Sequence, residues 1–369
     1  MESFLHHKNK ALQVIADKIY NHRRISEEEA LLLYTQADTA WLGVLASHAK
    51  QQASQKLVFF NRNFHLEPTN ICLYQCKFCS YKRKIGEEGS WEYTYDDIAR
   101  IVEAYKNTSV TEIHIVGGVH PQRDLHYYGN MIKLIKSIMP AIHVKAFTAI
   151  ELDFMIKQAK MSLSEGFHAL KEYGLDSIPG GGAEIFDAEV RKILCPEKST
   201  GEKWLEIHRE AHRAGIPSNA TMLYGHIEKW EHRIAHMSRI RQLQDETKGF
   251  NAFIPLKYRK ENNHLSHIGE VSVVEDIRNY AISRLFLDNI PHIKAYWPMI
   301  GRDTTKISLS FGVDDIDGTI DDTTKIYTMA GFKEKNTMTL DEMLKLIKSA
   351  GYTPTERDSV YNVIQTFEN

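Results

Sequence analysis

Two hydrophobic patterns follow one another along the chain. In residues 8–50 apolar side chains recur at helical spacing, as at Val14, Ile15 and Ile19. Ser26 stands before the run EEEALLLY, where a helix cap is expected. This part of the chain therefore predicts helices and no strands.

From about residue 61, short apolar or β-branched runs alternate with amphipathic helical stretches. The alternation predicts eight strands, at 63–68, 111–117, 143–149, 175–180, 217–225, 251–256, 292–299 and 306–312. Eight strands separated by helices favour an α/β fold, a (β/α)8 TIM-type barrel, with a doubly wound open sheet as the alternative. We expect an N-terminal helical extension at 1–55, the barrel at 56–330, and a C-terminal helical tail at 331–369 packed on it.

Composition narrows the possible functions. The 369 residues are 43% apolar and 25% charged, and the net charge is −2, so no excess charge points to nucleic acid. No apolar run approaches the ~20 residues that cross a bilayer, and the charged N-terminus lacks a signal-peptide core. Four cysteines in a chain of this length do not indicate a disulfide framework. We therefore expect a cytoplasmic protein without a membrane span.

Three of the four cysteines occur in one eight-residue stretch, CLYQCKFC. Cys72, Cys76 and Cys79 have the spacing C-x3-C-x2-C and follow the first predicted barrel strand. Four ligands would close a tetrahedral zinc site, whereas three thiolates on a four-iron cluster leave one iron open to a small molecule. Tyr74 and Phe78 would shield such a cluster from water. Zinc with a distant fourth ligand, or three unrelated buried cysteines, are the alternatives.

This spacing resembles the signature of the radical S-adenosylmethionine superfamily. The resemblance implies a 4Fe–4S cluster whose open iron chelates the amino and carboxylate groups of S-adenosylmethionine, the co-substrate. One electron from the cluster then cleaves the sulfonium and releases a 5′-deoxyadenosyl radical. Gly117 and Gly118, after the second predicted strand, inherit by position the superfamily's contact with the methionine amino group.

Further polar residues follow the predicted strands, at the end of a barrel where catalytic residues lie. Glu151 is expected to accept hydrogen bonds from a ribose or an ammonium group, and Tyr224 to flank the adenosine. Glu67, His120 and Glu184 are the expected catalytic or substrate-contacting residues. The fourth cysteine, in the segment KILCPEK, is expected to be inert.

A wider set of segments resembles the aminofutalosine synthase family of the futalosine route to menaquinone. These segments are HLEPTNICLYQCKFCSY, IVGGVHP, HVKAFTAIE, SIPGGGAEIFD, ILCPEK and GVDDIDGT. The resemblance implies a transferase that adds the 5′-deoxyadenosyl radical to the enolpyruvyl benzoate 3-[(1-carboxyvinyl)oxy]benzoate and gives 6-amino-6-deoxyfutalosine. It also implies a reducing electron donor such as flavodoxin or ferredoxin. Dehypoxanthine futalosine cyclase chemistry, or a non-catalytic iron–sulfur or zinc module, are the alternatives.

The implied substrate carries two carboxylates, so cationic side chains should face them. The candidates from the sequence are Arg83, Lys257, Arg259 and Arg302.

Overall fold

The computed structural model describes residues 6–319, 325–331, 333, 335 and 337–368, together with the backbone of 321–322. The helices are α1 (Lys10–Tyr20), α2 (Glu27–Gln36), α3 (Thr39–Ser54), α4 (Tyr95–Tyr105), α5 (Leu125–Ile138), α6 (Ala149–Gln158), α7 (Leu163–Tyr173), α8 (Ala188–Leu194), α9 (Gly201–Arg213), α10 (Trp230–Thr247), α11 (Val273–Phe286), α12 (Trp297–Ile300), α13 (Arg302–Ser308), α14 (Ile326–Met329) and α15 (Leu340–Ser349). The strands are β1 (Leu57–Phe60), β2 (Asn63–Leu66), β3 (Glu112–Ile115), β4 (His143–Ala146), β5 (Ser218–Tyr224), β6 (Phe250–Lys257), β7 (His292–Ala295), β8 (Asp315–Ile316), β9 (Asp321–Asp322), β10 (Thr353–Arg357) and β11 (Val363–Thr366).

The strands form two ladders, β11-β10-β1-β8-β7-β6-β5 and β4-β3-β2-β9. Every neighbouring pair is parallel except β10 with β11. Single bridges from Lys145 to Ser177 and from Ile178 to Ser218 continue the pairing between β4 and β5. Parallel strands joined through helices confirm the predicted α/β class.

The three N-terminal helices begin where capping residues allow. Ser26 accepts a hydrogen bond from the Glu29 N–H, and the Glu29 carboxylate accepts one from Ser26, so a capping box starts α2 as predicted. The Tyr34 hydroxyl donates to Asn279 of α11 at 2.6 Å, and Lys50 of α3 donates to the Leu309 carbonyl at 2.9 Å. These helices therefore pack against the outer helices of the parallel sheet.

Alternate residues of the strands face opposite sides of the sheet. Phe64, Ile113 and Val144 are fully buried, and each stabilises the fold by roughly 1.5–3 kcal/mol. The residues that follow them, His65, His114 and Lys145, stand in register on the other face. One face of these strands is therefore apolar and packs on the helices, while the other carries titratable side chains.

Two predicted strands differ from those observed. Residues 306–312 were expected to be a strand, but α13 and a 3-10 helix at Leu309–Phe311 occupy them, and the strand follows at β8. The apolar–polar alternation of KISLSF misled the prediction, since Thr305, Ser308 and Leu309 are buried at helical spacing. The predicted strand at 175–180 is reduced to the two single bridges.

The C-terminal residues also differ from the prediction of a helical tail. Within the described part of 331–369 there is one helix of ten residues, α15, followed by two strands. β10 pairs in parallel with β1, from Leu57 with Thr353 to Phe60 with Glu356. The Arg62–Glu356 ion pair at 3.0 Å adds to this contact. The end of the chain thus extends the sheet beside the strand that leads to the cysteines.

Among the described residues, we find no helix with the length and apolar character needed to cross a membrane.

Candidate active site

A cavity of about 270 Å³ lies at the carboxyl ends of the parallel strands. Five residues singled out from the sequence line it, namely Phe78, Cys79, Gly117, Glu184 and Arg259. They come from the loops that follow different strands, which is where a parallel α/β fold gathers its chemistry. The structure therefore brings the cysteine loop, the glycine segments and one candidate cation to a single site.

The cysteine loop follows β2 and is partly sunk into the protein. Cys76 is 5% exposed, while Cys72 and Cys79 are half-buried. Burial raises the pKa of the Cys72 thiol, although its sulfur accepts hydrogen bonds from the backbone N–H groups of Val119 and Tyr74. Burial also raises the pKa of Cys76 to about 12. Metal binding at this loop must therefore displace thiol protons.

Backbone contacts fix the shape of this loop. The Lys77 N–H donates to the Leu194 carbonyl at 2.8 Å, and the Gln75 N–H donates to Glu197 at 2.8 Å. Lys82 donates to the carbonyls of Cys76 and Cys79 at 2.8 and 3.1 Å. The segment after α8 thus holds the outer side of the loop. Cys195 lies in that segment and is buried, and its inertness stays a prediction.

The donor set suits an iron–sulfur cluster. Three thiols lie on one short loop, and thiolates are the ligands that such clusters take. In the described part of the chain, no three Cys, His, Asp or Glu side chains converge as they would around a single metal ion. A four-iron cluster binds each thiolate at a different iron, so its ligands need no such common point. The residues present therefore fit a cluster with one iron open.

The two glycines of the Gly-Gly segment pack directly on the start of the cysteine loop. A Cβ on Gly118 would lie 2.2 Å from the Ile71 carbonyl oxygen, and one on Gly117 would lie 2.9 Å from that of Thr69. Real side chains do not approach a carbonyl so closely, so the contact requires glycine. The Gly118 N–H donates to the Thr69 carbonyl at 2.8 Å. Gly117 faces the cavity and Gly118 anchors the segment.

Glu151 reaches the site through this segment. Its Oε1 accepts a hydrogen bond from the Gly117 N–H at 3.1 Å, and its Oε2 accepts from the N–H and hydroxyl of Thr148, both at 2.8 Å. Burial raises the pKa of Glu151 to about 7, although these hydrogen bonds lower it. Glu151 does not line the cavity, whereas Gly117 and Thr148 do. It supports the cavity wall from behind.

Glu184 forms a buried ion pair with a residue that the sequence did not single out. Its carboxylate lies 2.6 Å from the Lys198 ammonium, and both side chains are less than 15% exposed. The Lys198 ammonium lies 5.3 Å from the centre of the Phe78 ring and is close enough to Cys76 to oppose the rise in that thiol's pKa. This pair therefore links the cysteine loop to the GGGAE segment, residues 180–184, to which Glu184 belongs.

Two predicted residues, Tyr224 and His120, do not line the cavity. The Tyr224 hydroxyl donates to Asp276 at 2.8 Å, and the side chain is fully buried against α11, so the structure does not bring it to the cavity. His120 is 4% exposed and lies 3.2 Å from Glu92. Burial lowers the pKa of His120.

Glu67 contacts a segment that lines the cavity, and Tyr74 lies in the cysteine loop. The Glu67 carboxylate accepts hydrogen bonds from the backbone of Lys325 and Ile326 at 2.9 and 3.3 Å, and Ile326 lines the cavity. Tyr74 is half-buried in the cysteine loop, and burial raises the pKa of its phenol. Glu67 therefore joins the end of β2 to the start of α14, which covers one side of the cavity.

Of the four candidate cations, the structure brings Arg259 alone to the cavity. Lys257 is paired with Asp276 at 2.8 Å, and Arg302 with Glu342 at 3.2 Å. Arg83 donates to the carbonyls of Ser80 and Lys82. These three cations have structural partners within the described residues and do not line the cavity.

Sequence reasoning missed the polar residues within the strands themselves. Four strand residues line the cavity, namely His114, Lys145, Asn219 and Lys294, and Asp317, directly after β8, lines it as well. The signal was present as polar residues at every second strand position, as in EIHI, HVKA and HIKA. The prediction considered only the loops after the strands, because catalytic residues of such barrels usually lie there.

Comparisons with known proteins agree with this geometry. Residues 66–240 match the radical SAM superfamily, and residues 247–369 match the CofH/MqnC C-terminal region. The chain is 41% identical to an aminodeoxyfutalosine synthase of Thermus thermophilus, over 96% of each chain. It is 37% identical to an aminodeoxyfutalosine synthase of Streptomyces coelicolor, over 96% of this chain and 94% of that protein.

The fold is also found among solved structures. A crystal structure of methylornithine synthase superposes with a TM-score of 0.73 over 92% of this chain and 97% of that one, at 15% sequence identity. At this identity the similarity describes the fold and not the substrate.

Proposed function

Because the chain belongs to the radical S-adenosylmethionine superfamily and, within it, to the family of aminodeoxyfutalosine synthases, we propose that it catalyses aminodeoxyfutalosine synthesis in the futalosine route to menaquinone. The protein is an enzyme of the transferase type. The observation that carries the proposal is the loop of three thiols that opens, through Cys79, onto a mostly apolar cavity with cations in its wall.

The family's cofactor is a 4Fe–4S cluster, and S-adenosylmethionine is its co-substrate. When bound, the cluster supplies the electron that converts S-adenosylmethionine into methionine and the 5′-deoxyadenosyl radical. Cys72, Cys76 and Cys79 would hold the cluster. The remaining steps depend on residues of this chain that bind, orient and exclude water.

The Gly-Gly segment and the GGGAE segment would hold S-adenosylmethionine between them. Gly117, Thr148 and Gly181 line the same cavity as Cys79, and they follow β3, β4 and the bridged segment at 177–178. Glu184 lines that volume as well and is held by Lys198. Glu151 fixes Gly117 without reaching the cavity.

The acceptor would be 3-[(1-carboxyvinyl)oxy]benzoate, whose enol ether carbon bonds to the 5′ carbon of the adenosyl group. Rearrangement, loss of one carboxyl group as carbon dioxide or bicarbonate, and release of the one electron supplied at the start would then give 6-amino-6-deoxyfutalosine. The apolar side chains of Leu223, Ile254, Leu256 and Met299 line the cavity and would keep water from the reacting carbon.

An external one-electron donor such as flavodoxin or ferredoxin would approach the cysteine loop from outside. Leu73, Gln75 and Lys77 alternate with the cysteines and are exposed. Their exposure gives a donor access to the side of the loop that faces away from the cavity. All four cysteines are free, which suits a reducing compartment, and we place the reaction in the cytoplasm.

A comparison of two substrates tests the proposal. The protein is reconstituted anaerobically with iron and sulfide and supplied with reductant and S-adenosylmethionine. It then receives either the enolpyruvyl benzoate or dehypoxanthine futalosine. We expect an adenosylated product with the first and no cyclised product with the second. Release of 5′-deoxyadenosine with dehypoxanthine futalosine alone would favour the cyclase reaction. No cleavage of S-adenosylmethionine with either, in protein with a full cluster, would favour a non-catalytic module.

A further inference from the structure

Two polar side chains in the strand layer of the cavity have donors that the fold does not use fully. Asn219 of β5 lines the cavity and is 5% exposed. Its backbone N–H donates to the Ile178 carbonyl at 3.0 Å, but its side-chain amide makes no hydrogen bond among the described residues. The amide therefore faces the cavity with its hydrogen-bonding capacity unused by the protein, which suits contact with a ligand.

Lys294 of β7 is the second member of the pair. It is 2% exposed and lines the same cavity. Its nearest carboxylate oxygens, on Asp317 and Asp315, lie at 3.5 and 3.7 Å, which is longer than a good charge-assisted hydrogen bond. Asp315 is held more closely by Arg357, at 2.7 Å. The Lys294 ammonium therefore keeps donors for a further partner within the described site.

Lys145 does not share this property, although it lines the cavity too. Its ammonium donates to Glu112 at 2.5 Å, and both groups are buried. Burial raises the pKa of Glu112, but the combined attraction of Lys145, His143, Lys294 and Arg357 holds it well below its usual range. The Lys145 ammonium is thus paired with Glu112, and an anionic ligand would have to compete with that hydrogen bond.

The strand order places Asn219 and Lys294 on the two sides of one apolar strand. β5 and β7 are the two neighbours of β6, and Ile254 and Leu256 of β6 line the cavity between them. Asn219 pairs with Ala252, two positions before Ile254, and Lys294 follows Ile293, the partner of Phe253. A carboxylate at the end of an aromatic ring that lies on Ile254 and Leu256 and points toward Ala252 could accept from both side chains.

Asp317 also lines the cavity, so its charge has to be considered. Burial raises its pKa, but the attraction of Lys294, with smaller contributions from His65 and His114, outweighs burial and lowers the pKa to about 2. Asp317 therefore stays ionised on one side of Lys294, and an anionic ligand would have to bind on another side.

We propose that Asn219 and Lys294 bind the aryl carboxylate of the substrate and so select a benzoate over the same enol ether without that group. This inference rests on the proposed function. The enol ether has to face the adenosyl group beside Cys79 and Gly117, so the ring carboxylate occupies the part of the cavity between β5 and β7. Arg259 pairs with Glu270 at 3.4 Å and donates to the Met299 carbonyl at 3.2 Å, but its Nε makes no hydrogen bond among the described residues, so we assign the other carboxylate to it.

Variants of Asn219 give a test that spares the fold, because no side-chain hydrogen bond is lost. Asn219→Ala removes the side-chain amide donor. Asn219→Asp keeps the shape of the side chain but places a negative charge against the aryl carboxylate of the substrate. Binding of the enolpyruvyl benzoate and of 2-phenoxyacrylate, which lacks the aryl carboxylate, is measured by calorimetry on the cluster-loaded protein. We expect the benzoate to bind about 10-fold more weakly to the first variant and about 100-fold more weakly to the second.

The two ligands separate this inference from the function itself. Phenoxyacrylate should bind wild type and both variants alike, and Lys294→Gln should reduce the preference for the benzoate over phenoxyacrylate. Equal loss for both ligands, or no loss for the benzoate, would overturn the inference even where wild type forms the adenosylated product. A wild-type protein that neither binds the benzoate nor converts it would overturn the proposed function together with the inference.

Discussion

The backbone N–H of Gly117 donates a hydrogen bond to the side chain of Glu151 at 3.1 Å. The same carboxylate completes the capping box of α6 with Thr148. One buried acid therefore fixes both a cavity-lining glycine and the start of the next helix. Glu151 thus holds Gly117 from behind the cavity wall, and its predicted contact with a ribose or an ammonium group stays a prediction.

The first prediction concerns the pH dependence that this acid produces. Its pKa is raised by burial from 4.5 to about 7, so between these values the folded chain holds a proton that the unfolded chain has released. The stabilising contribution is therefore full below about pH 4.5 and is lost as the pH rises through about 7. The free energy of unfolding of wild type should therefore fall between about pH 5 and about pH 8. In Glu151→Gln this fall should be smaller by roughly 1–3 kcal/mol, as measured by urea unfolding at the two pH values.

Glu165→Gln is the matched control, because Glu165 completes a capping box on α7 but is exposed. Its hydrogen bonds with Ser162 lower its pKa, so it titrates below the window and the variant should keep the wild-type decline. A Glu151→Gln protein with the same decline as wild type would show that this carboxyl is not the source.

The second prediction concerns the ion pair of Lys198 with Glu184. Lys198→Met leaves the Glu184 carboxylate buried without its cation, which typically costs about 3–5 kcal/mol for a fully buried pair. Because both groups keep slight exposure, we expect about 2–3 kcal/mol less stability in urea unfolding. Lys203→Met, which breaks the exposed pair with Glu206, should change stability by less than about 0.5 kcal/mol. Equal effects of the two variants would contradict this account.

The third prediction separates the cluster ligands from the fourth cysteine. Cys76→Ala should prevent stable cluster assembly, because two thiolates would remain for the cluster. Cys195→Ala should keep the wild-type iron and sulfide content and lose about 1 kcal/mol of stability from the small cavity it creates. Iron and sulfide analysis after anaerobic reconstitution measures both. A cluster that survives Cys76→Ala but not Cys195→Ala would reverse the assignment.

The fourth prediction concerns the close packing of Gly118. Gly118→Ala would place a methyl group 2.2 Å from the Ile71 carbonyl, next to Cys72, so the segment and the cysteine loop must separate. We expect S-adenosylmethionine to bind at least about 10-fold more weakly, a loss of about 1.4 kcal/mol. Gly86→Ala is the control: nothing lies within 4 Å of its added Cβ, and its φ of +74° costs about 1 kcal/mol of folding stability. Weakened binding in the control alone would refute the packing argument.

The sequence predicted most of the helices and parallel strands because their patterns are local. Capping residues such as Ser26 and the apolar runs of β3 to β7 carry the information within a few positions. The prediction of a strand at 306–312 was wrong because a local pattern can suit two structures. A short polar–apolar alternation also suits a helix whose hydroxyl groups donate to its own backbone carbonyls.

For the site, the sequence located the cysteine loop and the glycines but not the partners that orient them. Lys198 and Glu184 lie on either side of α8 in the sequence and meet in space. Their spacing in the sequence does not predict that contact. Conversely, Lys257 comes at the end of a strand, where a cation that binds substrate is expected. In the structure its ammonium forms an ion pair with Asp276 of α11. Which cations remain available depends on long-range pairing, and a linear pattern does not contain it.

The destination of the adenosyl group tests the central claim most directly. S-adenosylmethionine labelled in its ribose is incubated anaerobically with the reduced, cluster-loaded protein and the enolpyruvyl benzoate, and the products are analysed by mass spectrometry. The account predicts that the ribose label and the benzoate ring occur in one product, formed in equal amount to methionine. Recovery of the label only as 5′-deoxyadenosine, with the benzoate unchanged, would contradict it.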